Sequence, residues 1–219
     1  MKKQLIFLVI MLLPIVVKAY NTQIDGIYYT INKSTLTASV TYGSSSYGSY
    51  SGNVIIPTSI YYQGKNYNVT DIDNSAFLNR SRLTSITIPN CVTTIGNAAF
   101  YGCTGLTSFT IPDSVTSIGH DAFFNCRGLT SVSIGNGLKE ISYRMFYGCE
   151  ALSIVTIGNS VTSIHNEAFC GCNALSTITI PQKLESIGEY AFFRCYVLTS
   201  IDLPESVTSI GSSAFRQCI

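Results

Sequence analysis

The sequence predicts a β-rich, right-handed solenoid of stacked 23-residue coils behind a β-hairpin cap, and three observations carry that expectation. Phe77, Phe100, Phe123, Phe146, Phe169, Phe192 and Phe215 recur every 23 residues without insertion or deletion. The same step carries Leu83, Leu106, Leu129, Leu152, Leu175 and Leu198, and also Ile95, Ile118, Ile141, Ile164, Ile187 and Ile210. Cys103, Cys126, Cys149, Cys172, Cys195 and Cys218 obey it too. One unit of this length cannot bury its own Leu, Ile, Val and Phe, so neighbouring units must stack and share a core.

The chain opens on Lys2 and Lys3, followed by an apolar run from Leu5 to Val17. That run is shorter than the roughly 20 residues a membrane span needs. With the small residues of Val17-Lys18-Ala19 behind it, it reads as a secretory signal peptide over residues 1–19, cleaved near Ala19. No cysteine precedes Cys91, so a lipid anchor at the cleavage point is not expected. The protein is therefore expected outside the cell, secreted or on its surface, with no membrane insertion of the mature chain.

Residues 20–66 fall outside the period and are expected to form an N-terminal β cap. Ile27 to Ile31 and Leu36 to Val40 flank Asn32-Lys33-Ser34, a hairpin signal. A Gly/Ser/Tyr loop follows from Tyr42 to Gly52, and Asn53-Val-Ile-Ile-Pro57 then imitates the strand end of a repeat. Residues 67–219 hold seven repeats, the last one incomplete.

Each unit reads Val-x-x-Ile-Gly-x-x-Ala-Phe-x-x-Cys-x-x-Leu-x-x-Ile-x-Ile-Pro, as in Val92 to Pro112. Leu83 to Ile88 alternates apolar and polar side chains, the period of a strand with one buried face. Proline or glycine ends that strand. Val92 to Ile95 is a second short extended piece, Gly96 turns the chain, and Ala98 to Tyr101 is open to a short turn or to a single helical or 3₁₀ turn.

Composition narrows the function classes. Charged residues make up 11% of the chain, against about 25% in ordinary proteins, and a net charge of +1 gives no field to draw nucleic acid. An enzyme needs a base, nucleophile or metal in a concave site. The two histidines, His120 and His165, fall at different places in their coils and read as exposed turn residues. No catalytic residue, metal or cofactor is expected. Stacked coils hold consecutive cysteine Cα atoms about 4.8 Å apart, but parallel side chains keep the Cβ atoms at the same spacing, beyond the roughly 3.5–4.5 Å of a bridge. A column of buried free thiols is the leading expectation, with at least one bridge between coils as the alternative. Cys170-Gly-Cys172 lacks the second pair a zinc site requires.

Two surfaces are candidates for binding. Strand alternation turns outward one face made of Ser85, Thr87, Ser108, Thr110, Ser131, Ser133, Ile154, Thr156, Thr177, Thr179, Ser200 and Asp202. It offers hydroxyls and almost no charge. The residues after the periodic phenylalanines form a stripe of Tyr101, Phe124, Tyr147 and Phe193, interrupted by Leu78, Cys170 and Arg216. Both have a bland reading as well, soluble strand residues in the first case and outer core in the second.

The units beginning "VTTIGNAAFYGCTGLTSFTIPDSVTSIG" at Val92 resemble the leucine-rich repeats of the BspA-like family of bacterial surface proteins, and the opening "DGIYYTINKSTLTASVTYG" from Asp25 looks like the leader of such proteins. The resemblance implies a leucine-rich-repeat solenoid, and it implies adhesion to a protein ligand such as a host matrix or plasma protein. The buried Asn or Cys usual after the repeat strand is matched only by Cys91, with Ser114, Gly137, Ser160, Lys183 and Ser206 in that slot elsewhere. Two functions are therefore weighed: a non-catalytic extracellular protein-binding module, and a passive spacer in a larger surface assembly. The seventh unit stops at Ile219, before its own strand, so Leu198 to Leu203 is expected to be an uncapped strand edge open to self-association.

Overall fold

The fold comes from a computed structural model, which describes residues 22–43 and 50–218. The leader expected at residues 1–19 and the middle of the Tyr42–Gly52 loop lie outside the described residues.

The cap begins with β1 (Thr22–Ile24), β2 (Ile27–Asn32) and β3 (Thr37–Thr41), an antiparallel meander in which Thr30 faces Ser39. Asn32 fixes the expected hairpin loop by accepting the backbone N–H of Ser34 at 3.1 Å. β4 (Gly52–Ile55) follows, then β5 (Ser59–Tyr62) and β6 (Lys65–Ile72) form a second hairpin. The coils then carry β7 (Leu83–Thr87) and β8 (Thr94–Ile95), β9 (Ser108–Ile111) and β10 (Ser117–Ile118), and β11 (Ser131–Ile134) and β12 (Glu140–Ile141). After them come β13 (Ile154–Thr156) and β14 (Ser163–Ile164), β15 (Thr177–Thr179) and β16 (Ser186–Ile187), and finally β17 (Ser209–Ile210).

The cap supplies a first layer to both sides of the solenoid. β3 pairs in parallel with β6, which continues to β8 and β10, while β4 pairs in parallel with β7. Further along, β9, β11, β13 and β15 form one parallel ladder and β12, β14, β16 and β17 another.

Between these walls the periodic phenylalanines stack as one column. Phe77 to Phe192 are fully buried, and consecutive rings lie 5.0–5.3 Å apart within 15° of parallel. The cap extends this column with Tyr50, whose ring packs 4.5 Å from Phe77 and whose hydroxyl donates to the Thr41 carbonyl at 2.6 Å. The apolar end of the stack is thereby closed and its polar atom satisfied.

Of the short turn and the helical or 3₁₀ piece open to Ala98 to Tyr101, the turn forms. Among the described residues the segment is a run of β-turns, with two left-handed residues per coil set four apart: Ala98 and Gly102, Asp121 and Asn125, Arg144 and Gly148. The cause is a competition for N–H groups. Ala98, Phe100 and Gly102 donate to His120, Ala122 and Phe124 of the next coil, while Tyr101 and Cys103 donate three residues back. A helix would need all of them for itself.

Leu198 to Leu203 also departs from expectation, because it forms no strand. With no strand on its far side among the described residues, the segment keeps Leu198 buried and gives up the ladder to β15.

Candidate binding surfaces

On the long-strand side, ladder register sets Ser108, Ser131, Ile154 and Thr177 in one column and Thr110, Ser133, Thr156 and Thr179 in a second. Phe109, Val132, Val155 and Ile178 alternate with them and point into the core, so the pleat itself divides the two sets. Toward the cap, Ser85 lies opposite Asn53 and donates to its Oδ1 at 2.8 Å, and Thr87 lies opposite Ile55. Ser200 and Asp202 are exposed but belong to the segment that forms no strand, so they do not extend the columns.

Hydrogen bonding separates two kinds of hydroxyl that look alike in sequence. Thr130, Ser153 and Ser176, one residue before the face, each donate to a carbonyl of the preceding coil at 2.9–3.3 Å. Ser108, Thr110, Ser131, Ser133, Thr156, Thr177 and Thr179 have no protein partner among the described residues. The face is thus an ordered, uncharged array of free donors and acceptors around the exposed side chain of Ile154, and Ile55 stands 64% exposed on the neighbouring pair of strands.

The aromatic stripe forms a ridge. Tyr101, Phe124 and Tyr147 are half-buried and stacked at 4.8 and 4.7 Å within 5° of parallel, so solvent meets ring edges and not ring faces. Arg144 lies over Phe124 and Tyr143 and pairs with Asp121 at 3.0 Å. Cys170 interrupts the ridge in a buried position, and Phe193 resumes it between Arg194 and Arg216. His120 and His165 are exposed, each resting on a carboxylate, Asp121 and Glu140, at 2.8 and 2.9 Å.

Against known sequences, residues 33–115, 70–159 and 93–219 match the BspA type leucine rich repeat region, in six copies. The chain belongs to the BspA-type leucine-rich repeat family. Solved structures agree with the assignment. A leucine rich cell surface protein of Faecalibacterium prausnitzii is 33% identical, with 90% of this chain and 52% of that one covered and a TM-score of 0.76. The T. pallidum leucine rich repeat protein is 27% identical over 90% of this chain and 89% of that one, at a TM-score of 0.79. A leucine-rich repeat protein of Eubacterium ventriosum is 30% identical over 87% of this chain and 50% of that one, at 0.73. The chain spans about half the length of the F. prausnitzii and E. ventriosum proteins. Comparison with curated proteins finds no match.

In these BspA-type coils the cysteines do more than fill space. All eight are free. Cys103, Cys126 and Cys149 each donate through Sγ to the carbonyl of a phenylalanine 26 residues earlier, at 3.0–3.1 Å, and Cys172 and Cys195 do so at 3.3 Å. The thiol supplies a second donor to a carbonyl that the following turn satisfies once, as when Cys126 N–H bonds Phe123. Sequence spacing revealed that these residues repeat but not which atom they serve. Burial pushes the thiols of Cys103 and Cys149 up to about 12 and holds those of Cys126 and Cys172 well above the usual thiol range. Thiols so shifted stay protonated and are poor nucleophiles. No group of three or more His, Cys, Asp and Glu gathers as a metal cluster among the described residues, and no described helix is long and apolar enough to cross a membrane.

Proposed function

We propose that this chain is a non-catalytic, extracellular protein-binding module, secreted or held at the cell surface, that serves adhesion or captures a host matrix or plasma protein. The uncommitted hydroxyl array from Ser108 to Thr179 carries this reading. A partner backbone finds donors and acceptors there, beside the exposed Ile154, without a charge to desolvate. Family membership and the likeness to a cell surface protein of F. prausnitzii support the location.

The test is retention of purified extracellular-matrix and plasma proteins by the immobilised chain. Binding that falls at least tenfold in a Ser131→Lys, Thr156→Lys double variant of unchanged melting temperature supports the strand face. Loss through Tyr147→Ala instead would move the contact to the ridge. Retention of none of the panel would favour the spacer. Self-association through the last described coil, where Leu203 and Ile210 are exposed, competes for the same assays, and sedimentation of the free chain separates it.

A further inference from the structure

A second site lies away from the strand face, where the cap meets the first coil on the short-strand side. A hollow of about 390 Å³ opens there, and a neighbouring one of about 680 Å³ shares Ser39 with it. Volumes of this size suit small ligands. Register sets Ser39, Asp71 and Thr94 side by side across β3, β6 and β8. Asp73 follows at the end of β6, with the hydroxyls of Thr30, Thr41 and Ser39 near its carboxylate.

The first coil departs from the other units at this place. The positions equivalent to Asp73 in later coils are Gly96, Gly119, Ser142, His165, Gly188 and Gly211, and those equivalent to Asp71 are mostly Ser or Thr. Two carboxylates thus stand together with no Lys or Arg lining the first hollow. Desolvation raises the Asp73 carboxyl above its ordinary value, with Asp71 adding to the shift. Tyr42, 44% exposed, borders the first hollow, and Tyr62 borders the second.

We propose that this groove binds a neutral oligosaccharide. A sugar hydroxyl both donates and accepts, and the floor of the first hollow offers both functions: the carboxylate of Asp71 accepts while the hydroxyl of Thr94 donates. Tyr42, exposed at the edge of the first hollow, offers ring surface to the apolar C–H face of a pyranose. Asp71 and Asp73 disfavour uronic and sialic acids in the first hollow, and Lys33, which lines the second, donates to Gln63 Oε1 at 3.1 Å.

The experiment records amide shifts of the full chain against cellobiose, lactose, maltose and N,N′-diacetylchitobiose, with sialyllactose and calcium ions as contrasts. At least one neutral disaccharide is expected to shift amides in Ser39–Thr41 and Asp71–Thr94, and Asp71→Asn and Tyr42→Ala are each expected to weaken it at least fivefold. Tyr42→Ala keeps the test open if Asp71→Asn fails to fold. No shift with any of the four neutral sugars would overturn the proposal, and so would binding indifferent to both substitutions. Shifts produced by sialyllactose alone, or by calcium alone, would also overturn it. None of these outcomes depends on protein capture by the strand face.

Discussion

Two aromatic columns run side by side through the repeats, built from consecutive residues, and they differ in tolerance. The inner column, Phe77 to Phe192, is never interrupted, while the outer one, Tyr101 to Phe193, is broken at Cys170 and bordered by Leu78 and Arg216. Ring spacing does not explain this, since the rings stack at 5.0–5.3 Å inside and 4.7–4.8 Å outside. Access to water does. An inner ring removed leaves a void between two coils that have no freedom to close it. At the half-buried outer position, solvent fills the gap.

That difference can be broken or sharpened by experiment. The largest effect is expected at the thiols that brace the inner column, under alkali. Burial pushes the folded thiols of Cys103 and Cys149 up to about 12 from an ordinary value of 9.0. Below pH 9 both folded and unfolded chains keep these protons, so the contribution is complete there. Above it the unfolded thiol ionises first, and stability falls by about 1.4 kcal/mol per thiol per pH unit until the folded value is reached. Urea unfolding at pH 8, 9.5 and 11 should show that slope, and a flat profile would contradict the buried protonated thiol. Phe146→Ala comes next, at about 3–5 kcal/mol, measured by thermal melting. Gly148→Ala should cost about 1–2 kcal/mol, because Gly148 sits at φ 67° and a Cβ there runs into Asn125. Tyr147→Ala should cost only about 0.5–1.5 kcal/mol, the worth of an aromatic pair; if it equals Phe146→Ala, the two columns are not different in kind. Smallest of all, Cys170→Tyr fills the break and should change stability by under about 1 kcal/mol.

Periodicity made the stack, the inner column and the β2–β3 hairpin legible, because each is written in the spacing of apolar residues. The turns were not. Asp25-Gly26 and Gln63-Gly64 both take positive φ and close hairpins at β1 and β5. Asp-Gly is a recognised signal for such a turn, while Gln-Gly is a weak one. Ala98, Arg144 and Glu167 have no local reason to be left-handed; bonding between coils forces them there, and a single unit does not display it. The candidate face was half legible. Alternation identified the outward residues, but Thr130 and Ser131 differ only in whether a carbonyl of the previous coil lies within reach. Leu198 to Leu203 carries the repeat's strand pattern and still forms none, since a strand is a property of its neighbours.

The bonds between coils have a consequence for how the chain is made. Thr130 N–H reaches Thr107, Phe100 N–H reaches Ala122, and each periodic ring stacks on its counterpart in the adjacent coil. Each link spans a single coil, so no part of the solenoid waits for a distant segment before it can form. A chain threaded outward from its N-terminus would complete the cap first, and Tyr50 would offer Phe77 a finished surface to land on. Growth then proceeds one coil at a time, with the exposed apolar area at any moment limited to the newest layer.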